Sequence, residues 1–315
     1  MEEERLLKVR APERPGRITV VFINGWFSMP NSYSVESESV PDNIDFVPVF
    51  PAPVGSLHDR ACQIFYQLVG GRVDYGEEHS LFHKHDRFGR FEEAKLLNWN
   101  AASPIILVGH SYGGNTARVL QNYLAMKKFP GYDTDSSWVR ALITVNSPLN
   151  GALCLYQNGM NLTLPTIIRV GSLGYWFNII AHVAEYLDLK KRSDHADYQH
   201  DHFHHHWAEA GSFRKLLCSV MGFGLMASTD GGAWDLSIHG QTEWHKVLQT
   251  FPSCHYAAIS GDIPLSITAL LDPMSLHVAV WRLSTSEAVP RVAGVDTTHW
   301  ADTGCDGALC KFTQE

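Results

Sequence analysis

The stretch Leu107-Val108-Gly109-His110-Ser111-Tyr112-Gly113-Gly114 constrains this chain more than any other. The apolar run Pro104-Ile105-Ile106-Leu107-Val108 ends in Gly-x-Ser-x-Gly, and a helical pattern, Asn115-Thr116-Ala117-Arg118-Val119-Leu120, begins at once. Strand, tight turn and helix in that order are the context of a nucleophile elbow. Glycines at 109 and 113 leave room where a side chain would strike the neighbouring strand or helix. Such a turn lifts the Ser111 hydroxyl above the sheet and aims a helix N-terminus at any negative charge forming there. A tight βα turn without chemistry is the alternative for the motif taken alone.

The rest of the chain supplies the frame this turn needs. Ile18-Thr19-Val20-Val21-Phe22-Ile23 is β-branched and apolar with no polar face, the pattern of a strand covered on both sides, and it ends in Asn24-Gly25-Trp26. Phe46-Val47-Pro48-Val49-Phe50 is a second extended segment, edge-like because of its proline. Residues 59–70 read as a helix, Ala141-Leu142-Ile143-Thr144-Val145 as a buried strand, and His255-Tyr256-Ala257-Ala258-Ile259-Ser260 as a further strand. Buried strands alternating with helices predict an α/β fold, a mostly parallel sheet covered on both faces. Two regions break the alternation: residues 71–100, rich in His, Gly and charge, and residues 152–250, with apolar helical runs around the histidine tract 195–206.

Bulk properties exclude several classes. With 315 residues, 45% of them hydrophobic and 18% charged, the chain can bury one large core. Net charge is −8, and the longest basic cluster, Lys190-Lys191-Arg192, is diluted at once, so no nucleic-acid footprint is expected. The six cysteines (62, 154, 218, 254, 305, 310) are scattered without Cys-x-x-Cys and read as free thiols, although Cys305 and Cys310 are close enough in sequence to pair. The most lipophilic stretch, residues 170–186, contains His182 and Glu185 and is too short for a membrane span, so no transmembrane segment is expected. The acidic N-terminus, Met1-Glu2-Glu3-Glu4-Arg5, shows no secretory signal.

A longer set of motifs carries a family resemblance. Asp59-Arg60-Ala61-Cys62, Gln67-Leu68-Val69-Gly70-Gly71, Val73-Asp74-Tyr75-Gly76, His79, His83-Lys84-His85 and Arg87-Phe88-Gly89-Arg90 lead into the elbow and its helix, with Ser228-Thr229-Asp230 and Trp234-Asp235-Leu236-Ser237 further on. This set resembles the thermoalkalophilic, zinc-containing bacterial lipases. The resemblance implies a single α/β-hydrolase domain over 1–315, with a zinc-binding insertion at 59–100 and a helical lid or cap at 152–250. It implies a structural zinc ion held by Asp59, His79, His85 and Asp235, with His83 a bystander. Imidazole nitrogens and carboxylate oxygens suit tetrahedral zinc, and four protein ligands close such a site. A second metal in the 195–206 tract is not expected, because one contiguous run offers poor ligand geometry.

The same resemblance implies a lipase-type serine hydrolase acting on acyl esters at a lipid–water interface. Ser111 is then the nucleophile, and the backbone N–H groups of Tyr112 and Trp26 form the oxyanion hole. Asn24 stands where the family carries histidine. The triad acid falls in Trp300-Ala301-Asp302-Thr303-Gly304-Cys305-Asp306-Gly307, which nominates Asp306, with Asp302 as the alternative. No histidine follows Asp306, so the general base is expected beyond Glu315, and the family's calcium site, which draws on that segment, is not carried over. His277 and His299 precede the acid, in the wrong chain order. A catalytically inactive zinc-stapled scaffold that binds lipid or protein is the other reading. The apolar runs Leu164-Pro165-Thr166-Ile167-Ile168 and Tyr175-Trp176-Phe177-Asn178-Ile179-Ile180 read either as lid or as core helix. The compartment stays open, since family members are secreted and no signal is visible.

Overall fold

The computed structural model describes residues 16–28, 40–176, 179 and 229–259. Asp302, Asp306, His277, His299, Cys218, Cys305, Cys310 and the 195–206 tract lie outside the described residues, as does most of the second apolar run beyond Trp176.

Five strands form one sheet: β1 (Ile18–Ile23), β2 (Ile44–Val49), β5 (Ile105–His110), β6 (Val139–Val145) and β7 (His255–Ile259), in the order β2-β1-β5-β6-β7. Every pairing among them is parallel. β2, with Pro48, lies at an edge, as the proline requires. β3 (Gly71–Asp74) and β4 (Phe88–Glu92) make a separate antiparallel hairpin.

The chain runs from β1 outward to the edge strand β2, then returns to place β5 on the other side of β1 and continues to β6. β1 and β5 therefore flank a topological switch point, where loops leaving the carboxyl ends of the two strands diverge and open a crevice. The loop after β1 carries Asn24-Gly25-Trp26, and the turn after β5 carries Ser111.

Two helices pack on each other and on the sheet. α1 (Leu57–Val69) starts at Ser56, whose hydroxyl accepts from Asp59 N–H, and ends at Gly70 with φ 82°. Its Ala61, Ile64, Phe65 and Leu68 recur at helical spacing and are fully buried. α3 (Tyr112–Ala125) buries Ala117, Leu120 and Leu124. Phe65 of α1 stacks on Phe129, ring centroids 3.7 Å apart. The shorter helices are α2 (Glu77–His83), α4 (Leu153–Gln157), α5 (Gly232–Asp235) and α6 (Ile238–His245). No helix among the described residues is long and apolar enough to cross a membrane.

Candidate active site and metal centre

The elbow is built by close approach. Ser111 adopts φ 53°, ψ −125°, a left-handed conformation that costs a non-glycine residue about 1–3 kcal/mol and survives only when its surroundings impose it. They do. Ser111 N–H donates to Val145 O at 2.8 Å, and Gly114 N–H to Ser111 O at 3.0 Å. A Cβ on Gly109 would stand 2.4 Å from the backbone of Gly113 and Gly114, and one on Gly113 would stand 2.2 Å from Ile23 O. Those obstacles are backbone atoms that cannot swing aside, so both glycines are obligatory.

The loop after β1 presses against this turn. A Cβ on Gly25 would lie 3.2 Å from Ser111 Cβ, so the segment carrying Trp26 borders the serine. Tyr112, in the first turn of α3, has a backbone N–H with no carbonyl one turn earlier to receive it. Burial lowers the pKa of His110 and keeps that ring neutral.

Arg60 holds the two sides of the crevice together. It is fully buried, and its Nη2 donates to Asn24 O at 2.6 Å, its Nη1 to Ala52 O at 2.6 Å, and its Nε to Thr116 Oγ1 at 3.1 Å. Its guanidinium lies over the Tyr112 ring, 4.8 Å from the centroid. Asn24 is engaged through three atoms: its O and, at 3.4 Å, its Oδ1 accept from Arg60, and its Nδ2 donates to Ser28 O at 2.8 Å and closes the loop around Trp26. Nothing in the sequence patterns singles out Arg60 for this role.

A second cluster forms about 59–85 and 230. Asp59, His79, His85 and Asp230 each offer a ligand atom, and those atoms all lie within 4.8 Å of one another. Asp59 sits in the first turn of α1, His79 in α2, and His85 beyond the left-handed residue Lys84 (φ 62°) that ends α2. The turn is closed by His85 N–H donating to Ser80 O at 3.1 Å. The bidentate pair of Arg87 with Asp74, both bonds 2.9 Å, braces the hairpin from which α2 projects.

The spacing suits an ion. His79 Nε2 lies 3.4 Å from Asp59 Oδ1 and 3.3 Å from Asp230 Oδ1, and His85 Nε2 lies 3.5 Å from Asp230 Oδ2. These distances exceed those of good charge-assisted hydrogen bonds, about 2.7–2.9 Å. They match the edge of a tetrahedron, about 3.3–3.4 Å, whose centre is about 2.0–2.1 Å from each ligand. His85 Nδ1–H donates to Asp86 O at 2.8 Å, which leaves its Nε2 lone pair facing the cluster. Burial works against charge on His79, but Asp230 and Asp59 outweigh it and push its pKa up to about 9, so the cavity favours a cation. The residues fit a divalent metal.

This differs from the expected ligand set in one residue. Asp230, immediately before the Gly231-Gly232 turn, joins the group, and Asp235 does not. Asp235 ends α5 and points the other way. Its Oδ2 accepts from Leu57 N–H at 2.5 Å and Tyr112 Oη–H at 3.1 Å, and its Oδ1 from Trp244 Nε1–H at 2.6 Å. Both aspartates lie in matching runs, and the partners that Leu57, Tyr112 and Trp244 offer Asp235 leave Asp230 as the carboxylate beside the histidines.

Two further histidines border the cluster. His83 lies with its ring 4.5 Å from that of His79 and stays outside the group of four. His58, which no sequence pattern marks, stacks on His79 at 3.6 Å. Both its nitrogens are occupied, Nδ1 with Tyr123 Oη and Nε2 with Tyr75 O, each at 2.7 Å. Burial, reinforced by His79, lowers its pKa to about 4, so it packs as a neutral ring.

Known proteins are similar to this chain in sequence and in fold. Residues 47–129 match the family model described as "Lipase-like, C-terminal domain". The chain is 26% identical over 223 residues to a lipase of Staphylococcus hyicus and 30% identical over 134 residues to Lipase 2 of Staphylococcus aureus. These alignments cover 66% and 38% of this chain but only 32% and 19% of those relatives. Among solved structures, EstA from Clostridium botulinum superimposes with a TM-score of 0.58 at 22% identity, covering 80% of this chain and 62% of that one. The Staphylococcus hyicus lipase gives 0.57 at 21%, covering 78% and 67%. This chain carries the fold of bacterial lipases. That likeness is one of fold, a mostly parallel sheet with helices packed on it.

Proposed function

We propose that the protein is a serine carboxylic-ester hydrolase of the lipase type. The observation that carries this reading is Ser111 held at φ 53° between two obligatory glycines, at the carboxyl end of β5 beside the switch point and against the Trp26 loop. Ser111 Oγ attacks the ester carbonyl carbon, and the carbonyl oxygen becomes an oxyanion received by the backbone N–H groups of Tyr112 and Trp26. The serine proton passes to an imidazole base oriented by an acid, for which Asp306 is the candidate, and from there to the departing alcohol. Water then cleaves the acyl-serine by the reverse sequence of proton transfers and frees the carboxylic acid.

Zinc is the metal proposed for Asp59, His79, His85 and Asp230, because two imidazoles and two carboxylates with ligand atoms within 4.8 Å of one another match its preferences. With four protein ligands its role is structural: it ties α1, the 71–92 hairpin and residue 230 together. The first expected lid run supports a lipid substrate, since Leu164 and Ile167 are exposed, as is Trp176 at the start of the second.

Hydrolysis of short-chain p-nitrophenyl esters by the full chain, compared with Ser111→Ala, tests the reading. A rate well above the variant is expected. Equal rates would refute hydrolysis by Ser111.

A further inference from the structure

Residues 230–235 reach several of the molecule's chemically important groups. Asp230 stands in the metal group. Gly232 N–H donates to Val54 O at 2.9 Å, and a Cβ on Gly232 would lie 2.6 Å from Trp26 Nε1, so this glycine is packed against the indole of one oxyanion residue. That indole N–H is buried with no hydrogen-bond partner among the described residues, so contact with Gly232 fixes where it lies. Asp235 receives Tyr112 Oη–H, which belongs to the other oxyanion residue, and Leu57 N–H in the turn of α1 that carries Asp59. Three residues of one six-residue segment thus reach the metal group, Trp26 and Tyr112.

We propose that Asp235 is a positioning residue: it ties the metal-bearing segment to Tyr112, so that occupancy of the metal group governs the placement of the backbone donors beside Ser111. The carboxylate suits this task because it is buried and bonded on its other side to Trp244 Nε1 at 2.6 Å, in the helix that directly follows the 230–235 segment, so it moves with that segment and not with Tyr112. Tyr112 in turn is clamped between Asp235, Gly55 O at 3.1 Å and the Arg60 guanidinium. Loss of the metal releases Asp230, lets the 230–235 segment shift, and withdraws Asp235 from the Tyr112 hydroxyl. Coupling of this kind needs a contiguous set of packed groups with two arrangements, and both ends of this set are in contact. Only the kinetic part of the test rests on the hydrolase reading.

Amide hydrogen exchange of the full zinc-loaded chain, before and after chelation with dipicolinate, reads the coupling without any reaction. In the wild type, chelation should raise exchange in the peptides spanning 20–27 and 107–116 and leave 139–145 unchanged. In Asp235→Asn and in Tyr112→Phe, the 107–116 peptide should exchange fast in both states, so that chelation adds nothing there. Tyr112→Phe keeps the ring under Arg60 and carries the test if Asp235→Asn fails to fold. An unchanged 107–116 peptide in the chelated wild type, or an equal chelation response in the variants, would overturn the proposal. Kinetically, each variant should lower kcat about tenfold, less than outright loss of an oxyanion donor, with KM changed by less than about twofold. The double variant should fall no further than either single one, and additive losses would contradict a shared contact. If the wild type is no faster than Ser111→Ala, the hydrolase reading fails and exchange alone decides this one.

Discussion

Replacing Arg60 is the most informative perturbation of the frame that carries the crevice. Its guanidinium makes buried bonds of 2.6, 2.6 and 3.1 Å to Asn24 O, Ala52 O and Thr116 Oγ1, and a longer one of 3.4 Å to Asn24 Oδ1. Bonds from a charged donor contribute about 1.5–3 kcal/mol each, and a buried acceptor stripped of its partner costs about 1–3 kcal/mol. Arg60→Met removes every donor at similar volume but also ends the desolvation cost of burying a charge, which offsets part of the loss. The expected net destabilisation is about 3–5 kcal/mol. Arg60→Lys keeps the charge but not the fork, and a single ammonium cannot reach the Asn24, Ala52 and Thr116 acceptors together, so an intermediate loss of about 2 kcal/mol is expected. Urea unfolding followed by far-UV circular dichroism measures both. Because Asn24 precedes Trp26 by two residues, Arg60→Lys should also slow ester hydrolysis. An Arg60→Met protein within about 1 kcal/mol of wild type would refute the claim that Arg60 locks the β1 loop to α1 and α3.

Two other perturbations separate the aspartates. Elemental analysis should find about one zinc per chain, lost in Asp230→Ala and kept in Asp235→Ala, with chelation lowering the melting temperature; the reverse pattern would restore Asp235 as a ligand. Burial pushes the Asp235 carboxyl up to about 7, against the opposing hydrogen bonds from Trp244 and Leu57 N–H. The folded protein therefore holds a proton there that the unfolded chain has released above about pH 4, so this group's contribution to stability is lost as pH rises from about 4 through 7. Asp235→Asn should flatten that part of the curve, as read by urea midpoints at pH 5 and 7.5, and an unchanged difference between the two would contradict the shift.

Much of this arrangement is legible in local sequence patterns. β1 and the strand into Ser111 are apolar runs rich in β-branched residues, and an apolar run with no polar face needs cover on both sides wherever it lies. The elbow is equally legible, because Gly109 and Gly113 answer to backbone crowding within a few residues and across to Ile23. α1 begins two residues earlier than its expected start at 59, since Ser56 caps it through Asp59 N–H, a bond that apolar periodicity does not register. The β3–β4 hairpin leaves no such trace, because Val73 is the only buried residue of β3, too little to show an alternation. The choice between Asp230 and Asp235 is illegible for a different reason. Both are acids in the same loop region, and their directions depend on whether Leu57, Tyr112 and Trp244, distant in sequence, stand ready to receive one of them. Arg60 belongs to the same class: its partners at 24, 52 and 116 come together only in the folded sheet.

The central claim is that the elbow presents Ser111 as the reacting nucleophile. Intact-protein and peptide mass spectrometry after treatment with an alkyl fluorophosphonate tests it most directly, because the reagent forms a stable phosphonyl ester only with an activated serine. A single adduct mapping to Ser111 and absent from Ser111→Ala is the predicted result. No adduct, or one on another residue that persists in Ser111→Ala, would contradict the account.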